Sequence, residues 1–154
     1  MTTPGSPSID DPLTGQHLTF THTANDTRGA SVRAVVRLEP AGFVPRHLHL
    51  RQDEQLEVLT GSIRLHTGGT SRLLSAGDTA TVPRRRVHRV ANAGTSEASF
   101  VLEVHPARRI EWTIRLMFAT GRALHPLTRH ARRRVEPSPN EHAARDTSRK
   151  VARG

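Results

Sequence analysis

The 154-residue chain contains no cysteine, which excludes disulfide frameworks, thiolate metal sites and cysteine nucleophiles, so any metal it holds must sit on nitrogen and oxygen. Aromatic residues are scarce, at 3%, and the alternation of rings with basic side chains that single-strand nucleic-acid binders use for base stacking is missing. Residues 1–12 are polar, rich in Pro and Ser, and lack the basic start and apolar run of a signal peptide or membrane span. These absences lead to the expectation of a soluble, cytoplasmic protein that engages neither membrane nor nucleic acid.

The formal charge of +9 points at first the other way, but its distribution argues against a nucleic-acid binder. Residues 1–105 carry 11 basic and 10 acidic side chains, whereas residues 106–154 carry 12 and 4. The basicity therefore belongs to the C-terminal third, and all but one of the basic residues are arginine.

What is present is a strand pattern. From Leu18 to Val104 short segments alternate in polarity, as in Val32, Ala34, Val36 and Leu38 against Ser31, Arg33, Val35 and Arg37. Turn signals at Pro40-Ala41-Gly42, Thr60-Gly61, Gly68-Gly69, Ala76-Gly77-Asp78 and Ala93-Gly94-Thr95 punctuate them at the strand spacing of a sandwich or barrel. After His105-Pro106 the period changes: Ile110, Ile114, Met117 and Phe118 share one helical face, which predicts a helix over 107–120 with Trp112, Met117 and Phe118 sealing it onto the sheets. A weaker helical stretch is expected over 126–135. The organisation expected is a flexible segment 1–16, an all-β barrel 17–106, a helical extension 107–135 and a disordered basic tail 136–154.

Chemistry concentrates in Pro45-Arg46-His47-Leu48-His49-Leu50-Arg51-Gln52-Asp53-Glu54. Two histidines two apart on a strand present both imidazoles on one face, where they can share an ion. Glu54 opens the next apolar run, and a strand returning antiparallel would bring its carboxylate alongside them. His88 follows a strand bounded by Gly77-Asp78 and Pro83 and is the fourth candidate. Three neutral imidazoles and one carboxylate would leave a divalent ion one net positive charge and, if six-coordinate, two open positions for water, dioxygen or a chelating substrate. Arg33 and Arg37 are expected to face solvent, with a pocket-lining role for one of them as the minority reading. His105, before a proline, and His22 are expected at the surface.

Taken together, the spacings resemble the two motifs of the cupin family across 42–92. The first supplies Gly42, His47, His49, Glu54 and Gly61; the second supplies Gly77, Pro83, His88 and Asn92. Two departures stand out: Gly42 lies one residue closer to its histidine than is usual, and Arg85 occupies a position commonly held by glycine. The resemblance implies a double-stranded β-helix, or jelly-roll barrel, and a homodimer. It also implies one divalent transition metal (Fe, Mn, Ni, Co, Cu or Zn) on His47, His49, Glu54 and His88, with Glu54 doubling as a catalytic base. Asn92 and the glycines would serve turns. The implied function is a metal-dependent enzyme acting on a small chelating molecule, foremost a dioxygenase. A non-redox cyclase, dehydratase or isomerase of polyketide-like biosynthesis is the alternative, and a non-catalytic ligand-binding protein the third reading.

Overall fold

The computed structural model describes residues 8–119, all within one compact unit. Among the described residues, ten strands form two antiparallel sheets. The larger sheet holds β1 (Ser8–Asp11), β2 (Gln16–His22), β3 (Val32–Leu38), β5 (Asp53–Thr60), β8 (Thr79–Val82) and β10 (Ala98–His105), ordered β1-β2-β3-β10-β5-β8. The smaller holds β4 (Phe43–His47), β6 (Ser62–Thr67), β7 (Thr70–Ser75) and β9 (His88–Asn92), ordered β4-β9-β6-β7. From β3 to β6 the chain crosses between sheets at every turn, and it does so again from β7 to β10, which makes a jelly roll.

The period-2 pattern places the core. Val32, Ala34, Val36 and Leu38 turn inward while Arg37 is exposed. They meet Leu56, Val58 and Phe100 of the same sheet and Ile63, Leu65 and Val90 of the facing one. The corners carry the expected turn chemistry. Gly68 and Gly69, at φ 53° and 87°, close a two-residue hairpin between paired Thr67 and Thr70. At Gly42 a Cβ would lie 2.8 Å from the Glu39 carbonyl oxygen and 2.9 Å from that of Gly15, so no larger residue fits without moving backbone.

Three features differ from the sequence reading. The segment expected to be flexible up to residue 16 instead holds β1 from residue 8, because Ile9 and Asp11 are buried and Ser8–Asp11 pairs with β2. Within the described residues the helix, α1, covers 110–119 and starts later than 107: a turn over 108–109 precedes it, and Ala107 N–H donates to the Gly29 carbonyl at 3.1 Å. Ile110, Ile114 and Phe118 are buried as expected, but Trp112 is 65% exposed and seals nothing; at helical spacing it lies off the Ile114–Phe118 stripe. The expected second helix over 126–135 and the tail over 136–154 lie outside the described residues.

Candidate metal centre

Each sheet contributes to one cluster. His47 ends β4 and His88 opens the neighbouring β9, where the two are register partners. His49 lies just beyond β4, and Glu54 comes in from the other sheet on β5, paired with Val82 and Val104. The local alternation decides which side chains enter: His47 and His49 turn in, while Leu48 and Leu50 are 41% and 66% exposed. One ligand atom from each of His47, His49, Glu54 and His88 lies within 4.8 Å of all the others. The structure thus brings together all four residues singled out in the sequence.

The hydrogen bonds fix the imidazole orientations. His47 Nδ1 donates to the Pro45 carbonyl at 2.7 Å and His88 Nδ1 to the Arg86 carbonyl at 3.0 Å. A carbonyl only accepts, so each Nδ1 carries a hydrogen, which leaves Nε2 to serve as a ligand atom when the ring is neutral. Such backbone carbonyls are the usual orienting partners of metal-binding histidines. All three Nε2 atoms converge on one atom, Glu54 Oε2, at 2.8 Å from His49, 3.2 Å from His88 and 3.9 Å from His47. Four nitrogen and oxygen ligand atoms, two of them with the tautomer a metal needs, fit a divalent transition ion.

Burial and charge act against each other here. Glu54 is almost fully buried, which by itself would favour the neutral acid, yet contact with His47, His49 and His88 outweighs this and holds the carboxyl well below its usual range. His88 moves upward: burial disfavours its charged form, but the Glu54 carboxylate and the Arg86 carbonyl favour it more.

A clamp that the sequence did not reveal supports the cluster. The Asp53 carboxylate accepts the Arg84 backbone N–H at 2.8 Å and its guanidinium at 3.0 and 3.3 Å, and these bonds, the guanidinium ones foremost, lower the Asp53 pKa. Next to it, Arg85 N–H donates to the His49 carbonyl at 2.6 Å. The β8–β9 turn is thereby tied to the segment carrying His49 and Glu54. Arg85, at the position where glycine is common, adopts φ 63°, the left-handed conformation that glycine reaches without strain. Only the Asp-Arg opposite-charge pair hinted at this clamp, and their 31-residue separation hid it.

Asn92 takes the structural role expected of it, its Nδ2 donating to the carbonyls of Leu38, Glu39 and Ser96 and its Oδ1 accepting from Gly94 N–H. Arg33 and Arg37 both stay outside the core: Arg37 is exposed and Arg33 lies 3.7 Å from Glu57 on the outer face. His105 is partly exposed, as a surface residue would be, but its Nε2 atom is buried with no hydrogen-bond partner among the described residues.

Beside the cluster a cavity runs between the sheets, lined by His47, His49 and Glu54 and otherwise by apolar side chains and Gln16. Ile114, Met117 and Phe118 of α1 complete its wall, so two of the three residues expected to seal the helix also enclose this space.

Comparison with known proteins agrees with this architecture. The cupin domain family matches residues 34–105. Germin-like protein 3-1 of Oryza sativa subsp. japonica is 33% identical over 99 residues, 58% of this chain and 44% of its own length. The chain thus spans less than half of that curated relative. Among solved structures, KdgF from Halomonas sp. superposes with a TM-score of 0.60 at 18% identity, covering 70% of this chain and 94% of KdgF. An oxalate oxidase superposes with a TM-score of 0.57 at 25% identity, covering 70% of this chain and 58% of the oxidase.

Proposed function

We propose that this chain, a small member of the cupin superfamily, is a metal-dependent enzyme acting on a small organic molecule that chelates the ion. His47, His49, Glu54 and His88 hold one divalent transition metal in this reading. The observation that carries it is the convergence of three imidazole Nε2 atoms on one buried carboxylate oxygen, beside a small, largely apolar cavity. When bound, the ion supplies Lewis acidity and, if redox-active, a means of activating dioxygen.

The protein's own groups do the rest. The Pro45 and Arg86 carbonyls hold His47 and His88 in the ligating tautomer, and the Asp53–Arg84 clamp steadies the strand that carries Glu54. Glu54 supplies the negative charge of the set and, on leaving the ion, is the carboxylate placed at the cavity to take a proton from a bound substrate. The apolar lining excludes bulk water from that exchange.

Dioxygenase-type oxidation is the leading assignment. The test combines elemental analysis with oxygen-uptake measurements on protein loaded with Fe(II), Mn(II) or Zn(II). The substrate panel includes oxalate, since an oxalate oxidase is among the similar structures. One metal per chain and oxygen uptake with a redox ion are expected. Turnover without oxygen, or undiminished with zinc, would replace the dioxygenase with a non-redox cyclase, dehydratase or isomerase; stoichiometric metal without turnover would favour a ligand-binding role. Association into a homodimer through the sheet edges β1, β8, β4 or β7 belongs to the same reading and is checked by sedimentation.

A further inference from the structure

The cavity's lining bears on which chelator it takes. Beyond His47, His49 and Glu54, its wall consists of Gln16 and apolar side chains such as Leu18, Val36, Phe100, Leu102 and Phe118, and no arginine or lysine lines it among the described residues. Four arginines of the barrel and helix are engaged elsewhere. Arg33 faces Glu57 outside, Arg84 is held by Asp53, Arg89 lies over the Phe43 ring at 4.8 Å and Arg115 over the Phe20 ring at 4.9 Å.

Gln16 offers no positive charge and is itself held in place. Asp11 Oδ2 can only accept, so the Thr14 hydroxyl donates to it at 2.7 Å, and the Thr14 oxygen must then accept from Gln16 Nε2 at 2.6 Å. Register also sets Gln16 apart from the metal residues: it pairs with Leu38, and Leu38 with Ala98, whereas Glu54 pairs with Val104, six residues further along β10.

Resting on the metal reading above, we infer that the cavity selects chelators with a single negative charge and a short apolar body, and rejects those with a second carboxylate. A divalent ion on three neutral imidazoles and Glu54 retains one positive charge. A monoanion brings that set to neutrality, whereas a dianion buries an unpaired negative charge against hydrocarbon. Size acts in the same direction. The space open to water-sized molecules is about 40 Å³, room for roughly three waters, which a tail of a few carbons fills. Ile114, Met117 and Phe118 line this space from α1.

The test uses two hydroxamates with one chelating head and tails of equal size: isovalerohydroxamate, ending in isopropyl, and malonomonohydroxamate, ending in carboxylate. Full-length protein is loaded with Co(II), metal content is measured, and each ligand is titrated by the visible absorption of the ion. The apolar ligand is expected to bind at least ~100-fold more tightly, and Met117→Arg, which places a cation in the wall, to shrink that ratio at least ~10-fold. Equal affinities, or preference for the carboxylate, in protein carrying one Co(II) would overturn the inference and leave the metal reading standing. Failure to take up Co(II) or any other transition ion would overturn both.

Discussion

Asn92 offers a sharp test because the usual conservative substitution should be the worse one. Its amide joins three segments: Nδ2 lies 3.1, 3.0 and 2.8 Å from the carbonyls of Leu38, Glu39 and Ser96, and Oδ1 accepts Gly94 N–H at 2.8 Å. The two Nδ2 hydrogens, one of them shared between two carbonyls, and the bond accepted from Gly94 make three hydrogen bonds at ~1 kcal/mol each, which puts Asn92→Ala at about 2–3 kcal/mol. Asn92→Asp keeps the shape and the Gly94 contact but points a carboxylate at three carbonyl oxygens. Loss of the donors and repulsion between acceptors should cost about 1–2 kcal/mol more than alanine does. Urea unfolding followed by circular dichroism at pH 7 should rank wild type above Ala above Asp. The Ala–Asp gap should narrow below about pH 4, where a protonated aspartate regains a donor. Because Asn92 is not a ligand, the folded alanine variant should still bind one metal per chain. An aspartate variant as stable as the alanine one would refute the donor geometry, and a folded alanine variant without metal would refute the purely structural role.

His88→Ala should lower metal affinity by at least ~100-fold, since a ligand is lost where even an orienting partner is worth 10–100-fold; competition with a chromophoric chelator measures it. Gly42→Ala should destabilise by about 1–3 kcal/mol, because the new Cβ would meet three backbone atoms at 2.8–3.0 Å that cannot rotate away, and a lower thermal midpoint would register it. Arg85→Gly should leave stability unchanged or raise it by up to about 1 kcal/mol, relief of the left-handed backbone offsetting the greater freedom of glycine in the unfolded chain; a clear loss in urea would count against this. His17 donates through Nδ1 to Asp10 at 2.8 Å and through Nε2 to Glu39 at 3.1 Å, chiefly the Asp10 bond raising its pKa above 6.5. The raised folded value means this stabilisation is fully present below pH 6.5 and fades as pH rises through the folded pKa. At these exposed partners it amounts to under ~1 kcal/mol. The urea midpoint should therefore fall between pH 6 and 8.5 in wild type by more than in His17→Ala.

The chain's own order of residues determined the elements and the candidate site. Period-2 alternation around Val32–Leu38 marked the inward face and glycines marked the corners, because these signals act over a few residues; the likeness of the spacings from Gly42 to Asn92 to two family motifs marked four donor side chains. Edges were harder to read. The strand at Ser8–Asp11 is short and polar and becomes a strand only by pairing with β2, and Trp112 differs from Phe118 only in which side of α1 meets the sheets. Tertiary structure alone decided what surrounds the donors. It alone fixed the imidazole tautomers by placing two carbonyls, tied Asp53 to Arg84 across 31 residues, and gathered apolar side chains of β2, β3, β10 and α1 into one wall beside Glu54. Those facts depend on which distant strands lie side by side, and contacts between strands far apart in sequence leave no periodic trace in it.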